Sequence, residues 1–331
     1  MRPVVALLFV VVAALASGCR AAQPDADTVA NDTFANDTFA TDALTTDADL
    51  VARLDALVAA FDGRVGLFVV ELGASADEDR VVHARAADTL FPTASLVKVP
   101  ILAALYARIE AGELDPHTAL AYDAERSRGG EDLLARFEDG ATITLSKLIH
   151  LMIAFSDNTA SVWLQELAGG GEGVNTWLAN AGFESTRVNS RTAGREEDYR
   201  RFGWGQTTPR EMVDLLLAIR RGTAVSSRAD EEMYRVLCRA YWDAEALSAI
   251  PPWVQAASKQ GAISRSRSEV VVVDAPGGTY AFCVITDDQT DTSWGADNAG
   301  FVLLREVSRA LWEAFDGAEA WSPAPGVEDW H

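Results

Sequence analysis

Strand-like segments occur near both ends of this 331-residue chain, and a long stretch with helical periodicity lies between them. Arg64–Leu72 and Arg80–Ala86 have the apolar, β-branched character of a hairpin, and further strand segments follow after residue 250. Because strands distant in sequence can complete one sheet, we expect both ends to share a sheet and the middle, about residues 95–250, to form an inserted all-helical lobe. A functional site is then expected in a cleft between sheet and lobe.

The spacing of apolar residues gives expected bounds for the other elements. A first helix precedes the hairpin and ends at Gly63, and a last helix covers Asn298–Phe315. The helices predicted in the middle are Ser95–Ala111, Leu145–Phe155, Thr159–Ala168, Val174–Ala181, Pro209–Arg221 and Arg228–Tyr241. The later strands are predicted at Trp253–Ser258, Ser268–Asp274 and Thr279–Thr286.

The composition is that of a globular protein, with 49% hydrophobic and 23% charged residues. The charge is strongly acidic, since 28 basic residues stand against 49 acidic ones for a net charge of −21. Nucleic acid and anionic membrane surfaces are therefore poor partners for the body of the protein. We expect a monomer that needs no cofactor and no metal.

Lysine is rare in this chain. Only Lys98, Lys147 and Lys259 are present, so 28 − 3 = 25 of the basic residues are arginine. Codon bias or a salty habitat would lower the number of lysines throughout the chain. The lysines that remain are therefore candidates for roles that need a titratable amine.

The N-terminus has the pattern of an export signal over residues 1–18: a basic Arg2, an apolar stretch too short to span a bilayer, and small residues before Cys19. This arrangement resembles the lipobox of bacterial lipoproteins and predicts lipidation of Cys19, which would be the only membrane attachment. Ala16 stands where a lipobox usually has leucine, so ordinary secretion is the alternative. In both cases the protein is exported to the periplasm or cell envelope.

Residues 19–46 are repetitive and polar, which predicts a disordered acidic tether, and 317–331 are predicted to be a C-terminal tail. The folded domain is therefore expected over 47–316. Cys238 and Cys283 could pair outside the cytoplasm or remain as two buried free thiols.

The histidines do not suggest a catalytic triad, because the four lie in unrelated contexts, and no cluster has zinc-ligand spacing. Ser95-Leu96-Val97-Lys98 offers a different nucleophile. The spacing of three places the lysine amine one helical turn above the serine hydroxyl. Lysine can act as a base when its pKa is lowered, whereas arginine cannot. Taken alone, the motif also fits a capping serine followed by a surface lysine.

Two further motifs have ordinary explanations when each is taken alone. Ser156-Asp157-Asn158 interrupts an apolar helical stretch and could be a helix N-cap. Lys259-Gln260-Gly261 is predicted to end a strand, where a lysine is usually solvated.

The three motifs occur in the order that is typical of class A β-lactamases and penicillin-binding proteins. The chain resembles this family over about residues 47–315. The resemblance implies an α+β fold with a five-stranded antiparallel sheet flanked by N- and C-terminal helices. It also implies a small-molecule substrate, either a β-lactam or a D-alanyl peptide.

The resemblance assigns roles to particular residues. Ser95 would attack the carbonyl with Lys98 as general base or relay, Ser156 would pass a proton to the leaving nitrogen, and Asn158 would hold Lys98 and the substrate amide. Asp157 is expected to be structural. On the substrate-binding strand, Lys259 would supply positive potential, and the N–H groups of Ser95 and Ala262, beside Gly261, would form the oxyanion hole.

The sequence departs from the family in two places. Gln260 stands where a hydroxyl residue is usual. The glutamate that activates water in β-lactamases should fall near Thr192, but residues 187–206 contain no Glu-x-x-x-Asn pattern. Glu196, Glu197 and Asp198 follow closely, and we expect them to be surface charges that pair with nearby arginines.

Three functions follow from these patterns. The first is a serine hydrolase of the class A β-lactamase type, which would act weakly if no deacylating base is present. The alternatives are a penicillin-binding D-Ala-D-Ala peptidase or other acyl hydrolase, and a lipoprotein that binds cell-wall peptides or β-lactams without turnover.

Overall fold

The computed structural model describes residues 47–130, 132–316 and 321–327, so the predicted signal segment, Cys19 and the tether lie outside the described residues. The main sheet has five antiparallel strands in the order β2-β1-β10-β9-β8. These strands are β1 (Arg64–Glu71), β2 (Arg80–Arg85), β8 (Ala256–Ile263), β9 (Ser266–Ala275) and β10 (Gly278–Asp287). Both ends of the chain therefore complete one sheet, as the sequence predicted.

Helices cover both faces of this sheet. Two terminal helices, α1 (Asp47–Ala60) and α9 (Ala299–Asp316), pack on one face around Leu54, Phe282 and Leu304. The other face carries the inserted lobe. The lobe helices are α2 (Lys98–Glu110), α3 (Leu145–Ala154), α4 (Asn158–Leu167), α5 (Gly170–Asn180), α6 (Glu196–Phe202), α7 (Pro209–Arg220) and α8 (Ser227–Leu237). The core on this side is the larger of the two and includes most of the apolar side chains of α2.

The lobe also contains short strands that apolar spacing did not reveal. One small sheet joins β3 (Phe91–Pro92), β6 (Arg187–Val188) and β7 (Gly205–Thr207), and a second joins β4 (Ala119–Ala121) and β5 (Thr142–Thr144). Strands of two or three residues are too short to show a period of two, which explains why they were missed.

The predicted bounds of β8 were wrong. The sequence placed a strand at 253–258 with Lys259 at its end, but the strand runs from Ala256 to Ile263 and Lys259 lies in its interior. Lys259-Gln260-Gly261-Ala262 has no β-branched residue, so local propensity gave no sign that the strand continues. It continues because all eight residues pair with β9.

Helix α2 also begins later than predicted, because residues 94–97 form a single 3₁₀ turn before the α-helix starts at Lys98. The two body cysteines are free: Cys283 is buried in β10 and Cys238 is half-buried after α8. None of the helices in the described ranges is long and apolar enough to cross a membrane.

Candidate active site

Ser95 lies in the 3₁₀ turn that leads into α2, at the junction of the main sheet and the lobe. The turn begins with Ala94 in the left-handed region at φ 45°, which is uncommon for a residue with a side chain and marks a strained backbone. It is tied to the small sheet by Thr93 N–H, which donates to the carbonyl of Gly205 at 3.0 Å. The first turn of α2 then places Lys98 Nζ 2.9 Å from Ser95 Oγ.

Ser156 occupies the break between α3 and α4. Its φ of 57° turns the chain sharply between the two helices. Asp157 stabilises this turn as the N-cap of α4, since its carboxylate accepts hydrogen bonds from Ala160 N at 2.7 Å and Leu134 N at 2.9 Å. The geometry thus agrees with the structural role expected for Asp157.

Asp132 supports the same helix start and was not singled out from the sequence. Its carboxylate accepts hydrogen bonds from Asn158 N at 2.9 Å, Thr159 N at 2.8 Å and Thr159 Oγ1 at 2.7 Å. Asp132 is 24 residues before Ser156 in a loop of glycines and charges, so no local pattern pointed to it. Together the two aspartates fix where Asn158 points.

Lys98 is fully buried and surrounded by oxygen atoms. Its Nζ lies 2.9 Å from Ser156 Oγ, 2.9 Å from Asn158 Oδ1 and 2.5 Å from the Ser156 carbonyl, in addition to Ser95 Oγ. Burial, followed by the positive charge of Lys259, lowers the pKa of Lys98 well below its usual value, while Asp132 and Asp157 partly oppose the shift. A neutral amine at this position can accept the Ser95 proton.

Lys259 reaches the same serine from the opposite side. Its Nζ lies 3.1 Å from Ser156 Oγ and donates to Gln260 Oε1 at 2.5 Å and to the Gln260 carbonyl at 2.9 Å. Burial lowers the pKa of Lys259 to about 7, although Glu269 and Glu245 pull it upward. Gln260, which replaces the usual hydroxyl, therefore holds the lysine amine in this structure.

Gly261 lets strand β8 approach the nucleophile. A Cβ at this position would lie 2.9 Å from Ser95 N, 2.9 Å from the Thr93 carbonyl and 2.7 Å from Ser268 Oγ. No side chain fits there without moving the strand away from the Ser95 turn. The backbone contact between β8 and this turn depends on glycine.

A cavity of about 540 Å³ opens beside Ser95. This volume is in the range of small-molecule sites. Ala262 contributes to its wall, together with residues from α4, α6 and the loop before α6. The lining residues are Ala94, Ser95, Arg128, Asn158, Val162, Ser190, Arg191, Tyr199, Phe202, Gly203, Trp204, Ala262 and Ile263.

No acidic side chain of the described residues lines this cavity. Thr192, where sequence spacing placed the water-activating role, is directed elsewhere: its Oγ1 lies against Gly171 of α5, 1.7 Å from where a Cβ on that glycine would be. Ser190 and Arg191 line the cavity instead, and Arg191 adopts a left-handed φ of 54°.

The three acidic residues at the start of α6 lie outside the cavity. Asp198 pairs with Arg195 at 2.9 Å, which agrees with the surface role expected for it. Glu196 is exposed, accepts a hydrogen bond from Gly194 N at 3.2 Å and lines a neighbouring cavity. Glu197 is exposed as well.

Trp204 is a further site residue that the sequence did not reveal. Its ring lies 5.6 Å from Lys98 Nζ and lines the cavity beside Ser95. The ring therefore forms an aromatic wall between the amine and the cavity. Trp204 stands between two glycines in a loop, and this short sequence is not a motif that would have indicated a site residue.

The fold and this site define a serine hydrolase, with a nucleophilic serine beside a buried lysine instead of a histidine. The chain belongs to the beta-lactamase enzyme family, whose model matches residues 49–315. It is an enzyme of the serine β-lactamase type.

Individual relatives agree with this assignment. A beta-lactamase of Rhodobacter capsulatus is 27% identical over 281 residues, covering 80% of this chain and 86% of the relative. The crystal structure of a beta-lactamase from Sphaerobacter thermophilus superposes with a TM-score of 0.69 at 25% identity, over 81% of this chain and 97% of that one. A mutant of PBP-A, solved as its acyl-enzyme complex with penicillin G, shares the fold with a TM-score of 0.70 at 24% identity, over 81% and 97%.

Proposed function

We propose that this enzyme opens β-lactam amides through an acyl-enzyme on Ser95 and releases the product slowly. The observation that carries the acylation step is the position of Lys98 Nζ, 2.9 Å from both Ser95 Oγ and Ser156 Oγ, in a fully buried environment. The slow release rests on the cavity beside Ser95, where the described lining has no carboxylate.

Acylation uses the two lysines in different ways. Neutral Lys98 takes the proton of Ser95 Oγ as this oxygen bonds to the lactam carbonyl carbon, and the N–H groups of Ser95 and Ala262 stabilise the oxyanion. The C–N bond then breaks, and the nitrogen takes the proton of Ser156 Oγ, which Lys98 replaces. Charged Lys259, with Gln260, attracts the substrate carboxylate.

Deacylation needs a base to activate water. Two acidic groups on the helices that line the cavity are held in ion pairs: Glu166 pairs with Arg126 and Arg191, and Asp198 pairs with Arg195. Lys98 and solvent are then left to promote hydrolysis, so the acyl-enzyme should accumulate.

A chromogenic cephalosporin tests this proposal. We expect a burst of about one chromophore per enzyme molecule, followed by a much slower steady rate that equals the rate of deacylation. Rapid turnover without a burst would contradict slow release, and the absence of both phases would contradict acylation. A D-alanyl-D-alanine peptide in a parallel assay separates the peptidase alternative, which would release D-alanine with repeated turnover.

We also propose that residues 1–18 are an export signal, that Cys19 carries the lipid anchor, and that 19–46 tether a monomeric domain spanning 47–316. The support is the small-residue and cysteine pattern of the sequence. Replacing Cys19 with alanine should move the protein from the membrane fraction to the soluble fraction of cells. Retention of Cys19→Ala in the membrane fraction would contradict the anchor.

A further inference from the structure

We infer that the preferred substrates carry a second negative charge, on the acyl side chain, and that Arg128 and Arg191 bind it. This inference rests on the proposed function, because it names the substrate class of the same site. Both arginines line the cavity beside Ser95. Among the described residues that line it, no other side chain is charged. In a protein with a net charge of −21, this local positive charge stands out from its surroundings.

The cavity lies on the acyl side of the reacting carbonyl. Lys259 and Gln260, which receive the substrate carboxylate, are not part of its lining, and Ser156, which faces the leaving nitrogen, is not part of it either. A carbonyl held at Ser95 therefore directs its leaving group towards Ser156 and Lys259. Its acyl side chain enters the cavity.

The lining of the cavity combines two kinds of side chain. Tyr199, Phe202 and Trp204 are aromatic, which suits a flat apolar group. Arg128 and Arg191 add positive charge. An acyl side chain that carries both an aromatic ring and a carboxylate matches both.

Arg191 is held in place by its surroundings. Its backbone follows Ser190, whose carbonyl accepts a hydrogen bond from the buried Gln165 Nε2 at 2.7 Å. Its guanidinium contacts Glu166 Oε1 at 3.1 Å through one nitrogen. An arginine has five N–H donors, so donors remain for a ligand in the cavity.

Arg128 is exposed and lines the cavity. Its backbone is fixed, because Arg128 N donates to Thr159 Oγ1 at 2.9 Å. Among the carboxylates of the described residues, none forms an ion pair with its guanidinium within 4.0 Å. It can therefore add to the attraction of an anionic side chain.

The test compares benzylpenicillin with carbenicillin, which has the same acyl side chain plus one carboxylate. The second-order rate constant for acylation of Ser95 is measured for each by intact mass over time, in wild type and in the double variant Arg128→Gln, Arg191→Gln. We expect the carbenicillin-to-benzylpenicillin ratio to fall about tenfold in the double variant, since a charge-assisted hydrogen bond contributes about that factor or more.

Arg228→Gln is the matched control, because Arg228 lies on α8, pairs with Glu110 and does not line the cavity. The carbenicillin-to-benzylpenicillin ratio of Arg228→Gln should equal that of wild type. In wild type, raising the salt concentration should also lower the ratio, which gives a readout that needs no variant.

Three outcomes are distinguishable. A ratio that is the same in wild type and the double variant, and insensitive to salt, overturns the inference while leaving acylation intact. A ratio that falls in the double variant and with salt supports it. If neither penicillin modifies Ser95 in wild type, the proposed function fails, and this inference fails with it.

Discussion

Replacing Lys98 with arginine should lower the rate of acylation by about 10³-fold, although the positive charge is kept. Arginine cannot lose its proton in a protein, so Ser95 would have no base at 2.9 Å. General-base catalysis contributes about 10² to 10⁴ in rate, which sets the size of the effect. The measurement is the second-order rate constant for covalent labelling by a penicillin, followed by intact mass.

Lys147→Arg provides the matched control, because Lys147 is an exposed lysine on α3 outside the site. It should be labelled at the wild-type rate. Because arginine is larger than the buried lysine, Lys98→Met serves as a second variant. Methionine fits the space of the lysine methylene chain and has no amine to act as a base. Both Lys98 variants should unfold cooperatively on heating. Labelling of folded Lys98→Arg at the wild-type rate would contradict a base role for Lys98.

Replacing Gly261 with alanine should lower acylation by about 10²-fold to 10³-fold. The added Cβ would lie 2.9 Å from Ser95 N and must push β8 away from the Ser95 turn. That movement displaces Ala262 N–H from the oxyanion, and the loss of one such donor has an effect of this size. The same labelling assay measures it.

Gly112→Ala separates this local effect from a loss of stability. Gly112 follows α2 with a φ of 74°, and nothing lies within 4 Å of a Cβ placed there. Alanine at this position costs about 1 kcal/mol of backbone strain and should leave labelling unchanged. Equal labelling rates in Gly261→Ala and wild type would mean that β8 does not form part of the oxyanion site.

The sequence predicted the parts of this enzyme whose chemistry is local. Ser95 and Lys98 share one turn. The scarcity of lysine drew attention to Lys98, whose task requires an amine that can lose its proton, and to Lys259, whose task is to supply positive charge. The shared sheet was also predictable, since β1 and β10 are strongly apolar. Lys147, the third lysine, has no role in the site.

What could not be predicted depends on contacts between distant segments. Asp132 reaches the start of α4 across 26 residues, and the Trp204 ring lies beside Lys98 from a loop 204 − 98 = 106 residues further along the chain. The position of Thr192 is another case, because its side chain is directed by packing against Gly171, which spacing along the chain does not reveal. Strand β8 continues through Lys259 only because β9 pairs with it.

The central claim is that Ser95 forms an acyl-enzyme that persists. The most direct measurement is a brief exposure of the intact wild-type protein to benzylpenicillin, removal of free penicillin, and mass analysis over the following hours with peptide mapping. We expect one added penicillin per protein, located on Ser95, that decays slowly, and no addition to Ser95→Ala. No adduct in wild type together with no turnover of the penicillin, or the same adduct in Ser95→Ala, would contradict the account.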